Sequence, residues 1–424
     1  MTVRPRNKND ESPPHPLPTP GEQRQSGGAR LAQVDALRGF ALLGILMVNI
    51  TYMASAYHGL GLEDPGLGGP VSEAVRWLVA VFFEAKFFLL FSFLFGYSFT
   101  LQISSAERRG ARFTPRFLRR LTGLFVIGVV HAVVLFPGDI LTLYAVLGLV
   151  LLALRRIRPR TAVRIAVALL AVTAAVYVLL ALAVGQAGGG GTIPQSTASA
   201  AAQATEALRG GPASVIGAHL RELPDVAFLL LFFQAPSALA AFLLGLAAGH
   251  RRALADTDRH QRLLRRLQWV GFTVGLSGGI VYADASLNHP ESAYQLFAMG
   301  LDVITAPLLA AAYAATVLRL THGRRGQAVV NALAPAGRMS LTNYLGQSLV
   351  CALLFTGFGA ALVGRVPPIG VAAIALTLFT AETVASRWWL RHHVYGPLEW
   401  LLRAWTTQSI PAWRSQSGTR SPQP

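Results

Sequence analysis

Residues 34–50 read Val34-Asp35-Ala36-Leu37-Arg38-Gly39-Phe40-Ala41-Leu42-Leu43-Gly44-Ile45-Leu46-Met47-Val48-Asn49-Ile50. A helix over this stretch, continued to Ala54, reaches the roughly 20 residues needed to cross a bilayer. It opens on an acid and a base three residues apart and closes on an amide, with Tyr57-His58 following where the chain emerges. Ionisable groups in such a span are costly and point to a function.

The rest of the chain repeats the apolar theme. Of 424 residues 53% are hydrophobic and 13% charged, against about 25% charged in a soluble domain. The fold expected is an all-α, polytopic membrane bundle. Ten spans are predicted, with cores near 34–54, 83–103, 117–136, 140–154, 163–184, 226–248, 267–285, 294–318, 339–358 and 368–388. The fourth is short, and the second is preceded by an amphipathic approach helix from about Val71. With the N-terminus inside, tails and loops on the cytoplasmic side carry 31 of the 37 Lys and Arg residues, while the outer loops carry Arg76, Arg209, Arg221 and Arg365. That bias places both termini in the cytoplasm. The formal net charge of +17 therefore lies mostly on one face. It suits anionic lipid headgroups, and some of the arginines suit a phosphorylated cytoplasmic ligand. No soluble domain carries the arginines, which argues against a nucleic-acid partner. The single cysteine, Cys351, excludes an internal disulfide, and the scattered histidines offer no metal-ligand spacing.

Five segments follow: a polar tail over 1–30 with no cleavable signal core, a membrane half over 31–186, an outer segment over 187–225, a second membrane half over 226–406, and a polar tail over 407–424. The outer segment opens on four glycines and continues as an Ala-rich stretch of helical composition, and it reads as a flexible connector, with a lid over the outer face as the alternative. Residues 396–405 read as a short amphipathic helix with interfacial tryptophans. No internal repeat marks an inverted-repeat transporter.

Several polar residues sit inside the spans. Asp35 and Arg38 share a helical face, where an ion pair at the helix start competes with phosphate binding by Arg38. Glu84 and Lys86, two residues apart, point in different directions, and Lys86 is expected to snorkel outward. His131 lies six residues before Pro137, about 9 Å below a tight outer hairpin. There Asp139 is placed to cap the next helix and Tyr144 comes to a similar depth. Either a structural His131–Tyr144 hydrogen bond or a proton relay fits. Asp302 lies about 12 Å into its span and must be protonated, paired or wet. Glu382, nearer the cytoplasm, could pair with Arg38 or Arg387. Ser340, Asn343, Tyr344 and Gln347 fall within an arc of roughly 100°. Such a stripe either zips two helices together or lines a cavity.

Residues 34–50, 86–99, Gly138-Asp139-Ile140-Leu141 with Tyr144-Ala145, 337–348 and Gly396-Pro397-Leu398-Glu399-Trp400 together resemble the YeiB-like bacterial membrane proteins, whose C-terminal part is a domain of unknown function numbered 418. The N-terminal half also resembles the transmembrane acyltransferases, which include heparan-α-glucosaminide N-acetyltransferase. That resemblance implies a multi-pass protein of the bacterial cytoplasmic membrane that takes an acyl group from cytoplasmic acyl-CoA to a small-molecule acceptor outside. It implies that His58, after Asp35-Ala36-Leu37-Arg38-Gly39 and Val48-Asn49, is the base, although Asn49 stands where the sugar-modifying enzymes often have a histidine. Arg119-Arg120 is a loose counterpart of their arginine pair. On this reading His58 or His131 is the general base, oriented by Asp139 or Asp302. Arg38, Arg119, Arg120 and Arg338 hold the CoA phosphates, and Ser340, Asn343, Tyr344 and Gln347 line the pantetheine passage. The competing reading is a proton-coupled carrier of a small anionic or amphipathic molecule using Asp302 and His131. Self-association is left open.

Overall fold

The computed structural model describes residues 20–110, 112–187, 195–254, 260–320 and 324–414. Within them the fold is helical, and a lone bridge between His393 and Arg414 is the extended pairing recorded. The helices are α1 (Pro20–Ala54), α2 (Pro70–Phe82), α3 (Lys86–Arg108), α4 (Phe113–Val134), α5 (Ile140–Ala153), α6 (Pro159–Gln186), α7 (Gln195–Arg209), α8 (Pro212–Leu229), α9 (Ala235–His250), α10 (Gln261–Asn288), α11 (Ala293–Leu320), α12 (Arg324–Arg338), α13 (Ser340–Phe355), α14 (Pro368–His392) and α15 (Pro397–Thr407).

Eight helical stretches among the described residues are long and apolar enough to cross a membrane, and α5 and α13 are shorter apolar helices. Together they account for the ten spans read from the sequence. The chain is a polytopic helical membrane protein. The approach helix expected before the second span is α2. Of the tail expected over 1–30, residues 1–19 lie outside the described residues and α1 begins at Pro20. Residues 415–424 of the C-terminal tail likewise lie outside them.

The apolar windows of α1, α2–α3 and α11 are more than half buried, whereas α6 turns Val167, Val172, Leu179 and Leu182 outward. So α1, α3 and α11 form the centre and α6 lies at the periphery. Small residues set the close crossings, as expected where lipid removes the hydrophobic drive between helices. Gly271, Gly275 and Gly278 of α10 lie directly on the backbone and side chains of Leu308, Leu309 and Thr305 in α11. Gly39 of α1 and Gly337 of α12 likewise meet the opposing backbone, at Leu333 and Asp35.

The break between α2 and α3 is a γ-turn centred on Ala85. Lys86 N–H donates to Glu84 O at 2.8 Å, and Ala85 has φ +64°. This turn is rare and strained for an L-residue, and such strain persists where the surroundings hold it in place. Its effect is to aim Glu84 and Lys86 inward along separate directions.

The outer segment is not a flexible connector where it is described. It forms α7 and α8, and α7 is pinned: Arg209 Nε and Nη2 donate to Val363 O at 3.1 and 2.8 Å, and Gly357 N–H donates to Leu208 O at 2.8 Å. Its four glycines, 188–191, lie outside the described residues.

Candidate functional site

Helix α3 carries the polar side chains that tie the centre together. At its outer end Lys86 has no exposed side-chain surface, and its Nζ lies 3.2 Å from Asp302 Oδ1. It also donates to Ala80 O at 3.3 Å and sits over the Tyr282 ring, 5.2 Å from its centroid. Lys86 therefore does not snorkel. The kink at Ala85 turns it into the bundle, and a carboxylate, a carbonyl and a π-face replace its water. The same pairing answers Asp302: it holds a lysine and orients neither histidine.

Glu84 takes a separate direction, as expected, and gathers a second group. Tyr282 Oη donates to its Oε2 at 2.7 Å, and His58 Nε2 stands 3.6 Å from its Oε1. His58 is fixed from three sides. Its backbone N–H and that of Tyr57 donate to Ser55 Oγ at 3.0 and 3.1 Å, Tyr52 packs edge-on at 4.8 Å, and Glu84 faces one ring nitrogen. That leaves Nδ1 for another molecule. His58 lines a pocket with Ser55, Asp64 and Arg76, whose apolar wall includes Val366 and Val371. Burial pushes the Asp64 carboxyl above its ordinary value, against the opposing pull of Ser55, His58, Arg76 and Arg209.

A second histidine–carboxylate pair lies between α4 and α5. His131 Nδ1 is 2.9 Å from Asp139 Oδ1, with side chains 0% and 1% exposed. Asp139 caps α5 as expected, its Oδ2 accepting from Thr142 N and Oγ1 at 2.7 Å each. The expected His131–Tyr144 hydrogen bond does not form. Tyr144 bonds Ser92 Oγ at 2.6 Å and donates to Phe88 O at 3.1 Å, so its hydroxyl is spent on α3. The His131 ring instead packs on Tyr344 of α13 at 5.1 Å. His219 of α8 closes the outer side, with its Nδ1 3.1 Å from Val133 O.

At the arginine-rich face, Arg38 Nη1 pairs with Asp35 Oδ1 at 2.9 Å and Nη2 donates to Ser98 Oγ at 2.5 Å. Arg338 lies within electrostatic reach of Asp35, and Arg120 within reach of Arg38, Arg403 and Glu399. The Nε of Arg120 is buried with no hydrogen-bond partner. Four guanidiniums thus share two carboxylates. Arg119 contributes its carbonyl, which accepts from Trp405 Nε1 at 2.9 Å.

The α13 stripe turns toward α14 and α4 rather than to one open face. Asn343 Nδ2 donates to Ser386 Oγ at 2.9 Å, and Gln347 Nε2 donates to Glu382 Oε2 at 2.7 Å. Glu382 thus serves Gln347 and neither Arg38 nor Arg387. Ser340, at the start of α13, is half-buried. Glu399 of α15 caps α13, accepting from Leu341 N at 2.7 Å and Thr342 Oγ1 at 2.6 Å.

Sequence reasoning passed over Ser55 and Asp64, which flank His58 in the chain, and Tyr282, His219 and the role of Glu399, which are brought in from distant chain positions. The one local signal was the Ser55-x-Tyr57-His58 spacing, which suits a hydroxyl accepting from the amides two and three residues on.

Among the described residues no group of three or more His, Cys, Asp or Glu side chains is arranged to hold a metal. The domain model described as "Protein of unknown function (DUF418)" matches residues 248–409. The uncharacterized protein YxaH of Bacillus subtilis (strain 168) is 33% identical over 393 residues, covering 89% of this chain and 94% of the relative. The chain belongs to the YeiB-like, DUF418 family. Within this family, the uncharacterized protein YeiB of Escherichia coli (strain K12) is 28% identical over 388 residues, covering 90% of this chain and 97% of its own. An uncharacterized 39.9 kDa protein of Bacillus acidopullulyticus is also 28% identical, over 395 residues. These YeiB-like relatives are described as uncharacterized, so membership brings no reaction with it.

Proposed function

We propose that this YeiB-like protein is a transmembrane acyltransferase of the bacterial plasma membrane, carrying an acyl group from cytoplasmic acyl-CoA to an acceptor at the outer face. The observation that carries the reading is His58 backed by the buried carboxylate of Glu84 at the wall of a pocket. A carboxylate on one ring nitrogen orients an imidazole and stabilises its protonated form, which makes the other nitrogen a better base. His58 Nδ1 takes the proton of the acceptor hydroxyl or amine, whose lone pair bonds to the acyl carbon. The thioester C–S bond breaks, and the sulfur leaves with the electron pair and is protonated to the free thiol.

Support at the other face comes from Arg38, Arg120, Arg338 and Arg403, which outnumber their carboxylates Asp35 and Glu399. Guanidiniums in excess of their counter-ions favour phosphate oxygens. The remaining basic loops on that face suit anionic lipid headgroups. A second reading, a proton-coupled carrier, draws on the buried Lys86–Asp302 pair, because ionisable pairs inside membranes mark ion pathways.

Thermal unfolding of purified protein with acetyl-CoA, longer acyl-CoAs and adenosine diphosphate tests the choice. A ligand held only by the native state at 100 times its Kd adds about 2.7 kcal/mol. The expected result is a saturable shift specific to an acyl-CoA and lost in Arg38→Gln. Folded protein that responds to none of these ligands refutes the transfer reading and favours the carrier.

A further inference from the structure

The outer pocket holds a carboxylate whose surroundings leave it short of a partner. Asp64 lines the pocket beside His58, and its Oδ1 is buried with no hydrogen-bond donor. Ser55, whose oxygen accepts from the Tyr57 and His58 amides, lines the same pocket and is near enough to Asp64 to hold its carboxyl down against the effect of burial. Two guanidiniums lie within electrostatic reach of Asp64, and both are committed elsewhere. Arg76 Nη1 pairs with Glu63 Oε1 at 2.5 Å. Arg209 donates twice to Val363 O and pairs with Glu206 Oε1 at 2.9 Å. Neither can swing to Asp64 without giving up an existing hydrogen bond. Gly364, at φ +66°, lets the chain pass so close that a Cβ there would lie 3.2 Å from both Asp64 Oδ1 and Arg209 Nη2.

The charge on the lining decides what the pocket accepts. Among the lining residues Glu63 and Asp64 face one guanidinium, Arg76. Arg209 acts on Asp64 from outside the lining with its charge paired to Glu206, and His58 is already turned to Glu84. An anionic ligand meets two carboxylates. A neutral hydroxyl gives Asp64 a hydrogen bond and no counter-charge. An ammonium gives it both, in the charge-assisted form that is the stronger kind. Val366 and Val371 provide an apolar wall for a carbon body attached to that head.

We infer that this pocket binds the primary ammonium head of a small organic cation, with Asp64 as its counter-ion and His58 beside it. As a binding site it stands alone, and it rests on the acyl-transfer reading only in making that cation the acceptor. In that case the bound ammonium first gives one proton to His58 Nδ1. The freed lone pair then forms the C–N bond as the thioester C–S bond breaks, and the product is an amide and the free CoA thiol.

The test is calorimetric titration of the full-length protein in zwitterionic nanodiscs at neutral pH, with benzylammonium, benzyl alcohol and benzoate as probes of one shape and three charges. Benzylammonium is expected to bind saturably and the other two not to bind. Asp64→Asn is expected to weaken it about tenfold or more, a loss of at least 1.4 kcal/mol, and Asp64→Glu to recover part of it. Equal binding of benzyl alcohol, or unchanged affinity in Asp64→Asn, overturns the site. If Asp64→Asn does not fold, the wild-type protein's selectivity for ammonium over alcohol decides the question without it. Acyl-CoA titrated into the same nanodiscs separates the two claims. Ammonium binding with no acyl-CoA response keeps the cation site and removes transfer. Acyl-CoA binding without ammonium selectivity removes the cation site and keeps transfer.

Discussion

Replacing Asp302 by asparagine removes the counter-charge of Lys86 and leaves the shape of the site almost unchanged. Lys86 has no exposed side-chain surface and Asp302 only 5%, so water cannot take over the lost role. The ammonium keeps Ala80 O at 3.3 Å and the Tyr282 ring at 5.2 Å, neither of which carries a charge. The Glu84 carboxylate acts on it only from beyond hydrogen-bond distance while serving Tyr282 and His58. Breaking a buried pair by removing one partner costs about 3–5 kcal/mol, while exchanging both for apolar groups of similar volume is often neutral or stabilising. Asp302→Asn is therefore expected to lose about 3 kcal/mol or more, and Lys86→Met likewise because it strands the carboxylate. The double variant Lys86→Met with Asp302→Leu should lie near the wild type. Equilibrium unfolding in mixed micelles, read as a double-mutant cycle, measures the coupling. Additive losses, or a single-variant loss below about 1 kcal/mol, refute the claim that the pair is dry and mutually dependent.

Three further outcomes are expected. Gly128→Ala places a methyl 2.6 Å from Asp139 Oδ2 and Thr142 N, so thermal unfolding should show an overpacking loss of about 1–3 kcal/mol, whereas Gly217→Ala, with nothing within 4 Å, should lose none. Glu399→Gln weakens the α13 cap, with a cost of about 0.5–2 kcal/mol. Burial raises the Glu399 carboxyl above its ordinary value. The titrating contribution of the wild type is therefore present below the unfolded value and lost as pH rises through the folded one. The stability gap to Glu399→Gln, measured across mildly acidic pH, should move against the wild type as pH rises. Arg209→Ala releases the bonds to Val363 O, and limited proteolysis of α7 and α8 from the outer side should speed up by a factor visible on a gel, leaving the other loops unchanged.

The bundle was legible because span length and arginine bias are long-range averages that no single contact overrules. The Asp139 cap and the Asp35–Arg38 pair were legible for the opposite reason, since each lies within one turn of the chain. The partners of Lys86, Glu84 and Gln347 were not, because the pairings join α3 to α11, the α2–α3 turn to α10, and α13 to α14. A lysine two residues past a glutamate at a span end reads as interfacial until the γ-turn at Ala85 is known, and that turn is stabilised by tertiary packing rather than by residue preference. His219 was hidden inside a stretch whose composition resembles a linker.

The spacing along α3 has a mechanical consequence. Lys86, Ser92 and Ser98 are six residues apart, so successive members are turned by about 240° and raised by about 9 Å. They engage α11, α5 and α1 in turn. A shaft keyed on three sides at three heights cannot rotate: turning α3 by one residue, about 100°, disengages every key at once. On the proposed transfer reading, any motion that accompanies passage of a group across the membrane would swing or slide the surrounding helices about a stationary α3.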